Sequence, residues 1–413
     1  SLRQTRDTTG KEWVLRRIEK SSLVIPEPFR NYLTPSMAKQ LSSASYPYGA
    51  FIVPGLAQPL SIVVPKPRLF FVEDDARLRG YRNDFAGKAC MLEEAFTTYN
   101  GKKTKSTSKV FTEMIRDNDH RPDQPSVLNA RLLDMLIGDF DRHFDQWRWY
   151  KDDTGKGEVY YPIPRDRDQA FFFSDGKIIK LFSGRLIPFL KGFRQDIPDA
   201  NWLNYIAKDF DRIFLTDLDA GEWKTSIASF GEKISDSSIR AAVKKLPPEI
   251  FAIDGEKIIQ NLISRRNGME DKAMSYYRFI SKKVNVIGSN QKEYFKVSNY
   301  GEGLQVRVYE RGRGNDTSFI MYDRIFHPSE TKEIRLYGLS DDDVFDIEAN
   351  AVSRIKLRII GGNGVDTFDI RGKVENLLYD RKSDSNVIKN SSHSKNRFTV
   401  DPPTSSRNLM GFE

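Results

Sequence analysis

Cysteine and histidine are almost missing from this chain. One Cys and four His in 413 residues exclude an internal disulfide and a cysteine-ligated metal cluster. No two histidines stand in His-Glu-x-x-His or any paired spacing, so a zinc site lacks its ligand set. The lone Cys90, within GKACMLEEAF, reads as a buried, inert thiol. No run approaches the ~18 apolar residues of a membrane-spanning helix. A Gly-x-Gly-x-x-Gly phosphate loop is absent from the opening residues. Ser43 and Ser45 have no His–Asp partnership of the kind a serine hydrolase needs. Ser1 is followed by no charged-then-apolar leader, which reads as a boundary from which any targeting segment has been removed.

What is present suits a folded chain of two or three domains, taking roughly 100–200 residues for each. Hydrophobic residues make up 39% and aromatics 12%, enough to bury sizeable cores. The formal charge of +8 permits contact with phosphates, lipid head groups or acidic glycans. Basic residues nevertheless alternate with acids, and KKTKSTSK (102–109) is the single basic cluster. It lacks interleaved aromatics and reads as a solvated loop, so no nucleic-acid partner is expected.

Residues 1–100 read as a small mixed α/β unit. Strands are expected at GKEWVLRRIEK (10–20), PRLFFVED and KACMLEEAF, with a short helix at TPSMAKQLSSAS (34–45). Residues 101–126 read as connector and loop. In 125–138 the spacing of Leu128, Leu132, Met135 and Leu136 marks one face of a helix, and helical patterns return from about 195 to 285. From 288 to 400 strand-like alternation takes over, with a tail at 401–413. IRLYGLSDDDVFDIE (334–348) superposes on LRIIGGNGVDTFDIR (357–371), matching Gly338 to Gly361, Asp343 to Asp366 and Phe345 to Phe368. A strand, a glycine turn carrying an Asp and another strand is one coil of a β-solenoid. The expected fold class is α+β, with a small all-β, solenoid-like domain closing the chain.

The chemistry is concentrated in LLDMLIGDFDRHFDQW (132–147) and YYPIPRDRDQAF (160–171). Phosphoryl transfer requires a carboxylate near the attacking hydroxyl, oxygen ligands for Mg2+ and a cation on the phosphates. A helix ending in an acidic loop, a hairpin and a second acidic turn follows that order. Here GDFDRHFDQW resembles the Asp-Arg-His-x-x-Asn loop of lipid kinases and the catalytic loop of spore-coat H-type atypical protein kinases. PRDRDQAF resembles their metal-binding strand. The resemblance implies a two-lobed, protein-kinase-like domain, with its N-lobe in 1–100 and a mostly helical C-lobe in 101–287. It implies catalytic roles for Asp141, Arg142 and His143, with Asp141 beside the acceptor hydroxyl. Metal ligands would be Asp166, Asp168 and Gln146, the last standing where the families carry Asn. Arg16 would occupy the phosphate-binding Lys position, and Gln40 the place of its acidic partner. Asp145 and Arg142 would fix the loop.

ATP and Mg2+ or Mn2+ are the cofactors implied, with an unidentified hydroxyl acceptor. GGNGVDTFD also resembles the calcium-binding nonapeptide of RTX proteins, which makes Asp343 and Asp366 a weaker Ca2+ expectation. Residues 10–380 as a whole resemble a central region of bacterial envelope proteins, set between a metallophosphoesterase domain and an outer-membrane β-barrel. That resemblance implies a periplasmic or outer-membrane-associated location and tethering to the outer membrane. Two other roles stay open: a non-catalytic pseudokinase or scaffold, and a metal-dependent phosphoester hydrolase. The structural alternative for the cluster is that Asp139 and Asp141 cap a turn, that Asp–Arg contacts are ion pairs, and that His143 is a satisfied interior residue. Trp147, Trp149, Tyr160 and Tyr161 are expected as walls around the loop.

Overall fold

The computed structural model describes residues 2–8, 10–18, 46–155, 157–167, 169–172, 192–197, 199–311 and 319–398. Gln40, Ser43, Ser45, Asp168, the helix expected at 34–45 and the tail at 401–413 lie outside the described residues.

The chain opens on a four-stranded antiparallel sheet in the order β1-β2-β4-β3, with β1 Leu2–Arg6, β2 Glu12–Arg17, β3 Arg68–Val72 and β4 Lys88–Glu94. Helix α1 (Gly49–Ala57) lies between β2 and β3 in the chain and buries Ile52, Val53 and Leu56. Cys90 is fully buried on β4, where burial pushes its thiol pKa up. A thiol held protonated in this way is unreactive, as its apolar setting implied.

The stretch 101–126 departs from the loop expectation. A ribbon of β5 (Thr98–Tyr99) and β6 (Lys102–Lys103) precedes β7 (Lys105–Ser106), and helix α2 spans Thr107–Arg116. Ser106 caps α2 by accepting from the Lys109 N–H. Its apolar stripe of Val110, Phe111, Met114 and Ile115 is short and framed by Lys and Ser, which hid the helical period. Strand β8 (Arg121–Pro122) then leads into α3 (Gln124–Ile137). The Asp123 carboxylate caps α3 by accepting from the Ser126 N–H, with Pro125 in the first turn.

Helix α3 is buried on nearly every side rather than on one face, and its enclosed residues include Arg131 and Asp134. It ends at Gly138, whose φ of +73° is the left-handed stop that glycine adopts without penalty. Beyond the loop, β9 (Trp147–Asp153) and β10 (Glu158–Pro164) form an antiparallel hairpin from Glu158↔Asp153 to Pro164↔Trp147. The hairpin joins β7 and β8 in a sheet ordered β7-β9-β10-β8. Trp147 and Trp149 are buried against α4 (Lys208–Phe214): Trp147 stacks on Phe210 at 4.6 Å and Trp149 on Phe214 at 4.9 Å. Helices α5 (Ala220–Lys233), α6 (Asp236–Val243), α7 (Glu256–Asn267) and α8 (Met269–Ile280) complete the layer. α5 packs on α8 and α3, and α6 packs on α1 and α7.

The remainder is all β. Strands β11 (Lys283–Ile287), β15 (Glu333–Ser340), β17 (Val352–Asn363), β19 (Lys373–Tyr379) and β21 (Ser394–Asn396) pair in parallel as one sheet. A second sheet has the order β14-β13-β12-β16-β18-β20, with β12 Glu293–Tyr300, β13 Gly303–Glu310, β14 Ile320–Phe326, β16 Val344–Ile347, β18 Thr367–Ile370 and β20 Val387–Ser391. The chain alternates between the two sheets from β15 onward, and their inner faces share one core. The internal repeat pairs in register, Phe345 opposite Phe368 and Ile347 opposite Ile370. Phe295, Phe345 and Phe368 stack at 4.7 and 5.4 Å.

Asp343 and Asp366, the residues of the Ca2+ expectation, stand at the turns that lead into β16 and β18. Both are fully buried, and each spends one carboxylate oxygen on the backbone N–H of the neighbouring strand's start.

Because Phe345 is the middle ring of the stack and fully buried, Phe345→Ala should cost about 3–5 kcal/mol. Denaturant unfolding of the β region, followed by near-UV circular dichroism, checks this. A loss of under about 1 kcal/mol would mean the stack is not a structural spine.

Candidate functional site

The Gly138 stop turns the chain out of α3 into Asp139, which is 1% exposed. The Asp141 N–H donates to Asp139 Oδ1 at 3.3 Å, bending the loop so that Asp141 is only partly buried. Arg142 then plunges back and is fully buried. Its Nε donates to Asp134 Oδ2 at 3.2 Å, and its Nη1 donates to Gln146 Oε1 at 2.8 Å and to the Arg165 carbonyl at 2.6 Å. The guanidinium also lies 4.6 Å over the Trp147 ring. One side chain thus joins the helix, its own loop and the turn after β10. The Arg165 N–H returns a bond to the Gln146 carbonyl at 2.9 Å. The two acidic turns that lie far apart in the chain are therefore bonded to each other.

Asp134 anchors this arrangement. Its carboxylate accepts from Arg131 at 2.8 Å, Arg142 at 3.2 Å and Arg167 at 2.9 Å, all of them buried. Burial alone would raise its pKa, but Arg142, Arg167 and Arg131 together hold it below the usual carboxylate value. Arg131 continues the network to Asp211 at 2.9 Å and Asn204 at 2.6 Å, and the Tyr276 hydroxyl donates to Asp211 at 2.6 Å. Asp139 is different: burial pushes it up to about 8, and Arg142, at 3.8 Å, offsets this only in part.

From the N-terminal sheet, Arg16 on β2 reaches the same place. It forms an ion pair with Glu93 of β4 at 2.6 Å and another with Asp166. Asp166 sits at φ +55°, an unfavourable value for a non-glycine residue. Its side chain remains 40% exposed. Arg16, Tyr46, Pro47, Met91, Glu93 and Asp166 line a pocket between the N-terminal sheet and the acidic turns.

The expected residues fall into three groups. Arg16 and Asp166 meet at this pocket, and the Asp141 loop is tied to the turn that carries Asp166 through the bond from Arg142 to the Arg165 carbonyl. Arg142 lies beneath the loop, fully buried, bonded to Asp134, Gln146 and the Arg165 carbonyl. Gln146, 5% exposed, presents its oxygen to Arg142 and would have to exchange that bond to bind a metal. His143 is partly buried, and its Nδ1 accepts from the Asp145 N–H at 3.3 Å, capping the short turn Phe144–Gln146. Asp145, expected to fix the loop by its side chain, is exposed and takes part through its backbone. Gln40 and Asp168 lie outside the described residues. Trp147, Trp149 and Tyr160 are buried, whereas Tyr161 is partly exposed and stacks on Tyr150 at 5.1 Å.

Residue patterns missed Asp134, Arg167 and Glu93. Asp134 had one signal, a carboxylate three residues after Arg131 inside an apolar helix. Glu93 had another, an acid on the inward side of a strand.

No family model matches the chain, and no curated protein matches it. Among solved structures it is similar to the Helicobacter pylori proinflammatory kinase CtkA, with 13% identity and a TM-score of 0.38 over 66% of this chain and 92% of that one. It is also similar to the Rio2 kinase of Chaetomium thermophilum, solved as an ADP/Mg2+–phosphoaspartate complex. There the identity is 13% and the TM-score 0.28, over 65% of this chain and 68% of that one. Likeness at these scores carries no argument, and the chemistry stands on the site's own geometry.

Removing the anchor should be far costlier than removing the loop carboxylate. Asp134→Ala leaves buried guanidinium groups uncompensated and should cost about 3–5 kcal/mol. Asp141→Asn should change stability by no more than about 0.5 kcal/mol. Parallel urea titrations of the two variants check the contrast.

Proposed function

We propose that this chain carries an atypical, kinase-like phosphotransferase site in a two-lobed unit. The N-terminal sheet would form one lobe and helices α2–α8 the other, followed by a solenoid-like β domain. The observation that supports the reading is Arg16 meeting Glu93 and Asp166 at one pocket, while Arg142 ties the Asp141 loop to the turn that carries Asp166. On this reading Arg16 would be the phosphate-binding cation, Asp166 the metal-binding carboxylate and Asp141 the carboxylate that meets the acceptor.

Each residue has a role that follows from its placement. Arg16, held by Glu93, is positioned to take the negative charge of a nucleotide's phosphates, and Asp166 would then be released from the ion pair. Asp141 would accept a hydrogen bond from the acceptor hydroxyl and orient it. Buried Arg142 keeps the loop and the Asp166 turn in fixed relation, as pre-organised catalysis requires. The donor set suits Mg2+, which is commonly bound through one or two carboxylates together with phosphate oxygens and water. Asp166 would hold it, and bound there it would neutralise charge on the transferred group. Gln146 and Asp168 remain further candidate ligands.

A second reading, a non-catalytic pseudokinase or scaffold, is favoured by two observations. Asp166 is paired with Arg16, and the Gln146 oxygen is taken by Arg142. Metal-dependent phosphoester hydrolysis ranks last, since paired metal ligands of a two-metal site are not among the candidates. The bacterial envelope location and the flanking phosphoesterase and barrel domains rest on the resemblance of residues 10–380. The acceptor is a hydroxyl compound of unassigned class.

Thermal shift with ATP and Mg2+ tests the leading reading. At saturating nucleotide the intact chain should gain several degrees, since ligand at about 100 times its Kd adds about 2.7 kcal/mol. Asp166→Ala should lose most of that gain while leaving the unliganded midpoint nearly unchanged. No shift in the intact chain, or an equal shift in the variant, would leave the scaffold reading in its place.

A further inference from the structure

A cleft of about 100 Å3 lies where the helical region meets the β region. Among the described residues it shares no wall with the pocket beside Asp166. Helix α2 contributes Phe111 and Met114, and the turn after α4 contributes Asp217. Strand β14, with the residue before it, contributes Phe319, Met321 and Tyr322. Three aromatic rings and two thioethers thus share the cleft with the Asp217 carboxylate. The volume is on the scale of cavities that take a single ring or a small branched group.

A β-bulge shapes one wall. Strand β14 pairs with β13 at Val308↔Tyr322 and then at Tyr309↔Ile320, so Met321 is an extra residue without a partner in the ladder. Neighbouring side chains of a regular strand point to opposite faces. Here the bulge lets Met321 and Tyr322 both line the cleft, while Ile320 is left exposed.

The turn that carries the acid is pinned from both sides. The Tyr322 hydroxyl donates to the Thr216 carbonyl at 3.0 Å, and Arg324 donates to the same carbonyl. The Asp217 N–H donates to Gln124 Oε1 at 2.9 Å, at the start of α3. Asp217 Oδ1 accepts from the Thr216 hydroxyl at 3.1 Å.

Among the described residues, no Lys or Arg forms an ion pair with Asp217. Arg324 is engaged with Thr216, with the Tyr277 hydroxyl at 3.2 Å and with the Phe326 ring at 4.7 Å. Burial raises the Asp217 pKa, against its hydrogen bonds with Thr216 and Gln124 and the weaker pull of Arg324. Other polar residues of the lining have partners of their own. His120 sits between Asp119 at 2.6 Å and Glu158 at 3.2 Å, and Asn118 donates to Glu293 at 3.1 Å. Arg121 is exposed on β8.

A primary ammonium brings three donors that each need an acceptor, and apolar walls with one partly engaged carboxylate suit it poorly. A quaternary ammonium needs none. It is held by aromatic rings and a nearby negative charge, and thioethers add polarizable contact. We infer that this cleft binds a small quaternary ammonium compound of the choline type, with Phe111, Phe319 and Tyr322 as aromatic walls and Asp217 as the counter-charge. Such a ligand bridges α2 and β14 across the junction. The site is separate from the phosphotransferase pocket, and neither reading depends on the other.

Calorimetric titration of the full chain with choline chloride tests this, against sodium chloride at equal concentration. The neutral isostere 3,3-dimethylbutan-1-ol is titrated in parallel. Choline should bind saturably, and the alcohol about tenfold more weakly or not at all. Asp217→Asn should weaken choline about tenfold without changing the response to the alcohol. If that variant does not fold, Phe319→Ala, at a partly exposed wall, should weaken choline at least about threefold. Equal affinity for choline and the alcohol would overturn the proposal, leaving a merely apolar cleft. Choline heats no larger than those of sodium chloride, or undiminished choline binding in the variant measured, would overturn it as well.

Discussion

The buried carboxylate of Asp134 is the constraint on which the candidate site depends. Three guanidinium groups drawn from α3, the loop after it and the turn after β10 converge on one acid inside the helical core. An uncompensated buried charge is costly, so losing Asp134 would strip a shared partner from all three guanidinium groups at once. The consequence is geometric. The Asp141 loop and the Asp166 turn are held as one body, and whatever chemistry they perform begins from fixed relative positions.

Arg16 couples that body to the N-terminal sheet. Its two ion pairs, with Glu93 and Asp166, place a cation at the boundary between the sheet and the helical layer. In the proposed phosphotransferase that pair would be the resting state, exchanged for phosphate and metal when ligand binds. The same pair would equally serve a scaffold, and ligand competition for Arg16 separates the two. In the β region, by contrast, Asp343 and Asp366 are buried and each accepts the backbone N–H of a neighbouring turn.

Much of this was visible in particular residues. The helix over 125–138 and its glycine stop, the hairpin between the acidic turns, and the repeat matching Phe345 to Phe368 all follow from local period and turn chemistry. Helix α2 was not visible, because Lys and Ser flank its short apolar stripe. Nor was the role of Arg142, assigned to catalysis by motif but placed by packing beneath the loop. Asp343 and Asp366 carried a calcium-like pattern, and their burial and their bonds to the neighbouring N–H groups became visible only in the fold.

The sequence by itself determined the order of elements, the inert Cys90 and the spacing that sets two acidic turns one hairpin apart. Those features depend on interactions within a few residues of each other. Tertiary structure alone decided which charges are buried together: Arg16 with Glu93 and Asp166, and Asp134 with three arginines. Desolvation and ion pairing act through space, from Arg131–Asp134 three residues apart to Arg16–Asp166 at 150, and no local pattern specifies the long-range partners.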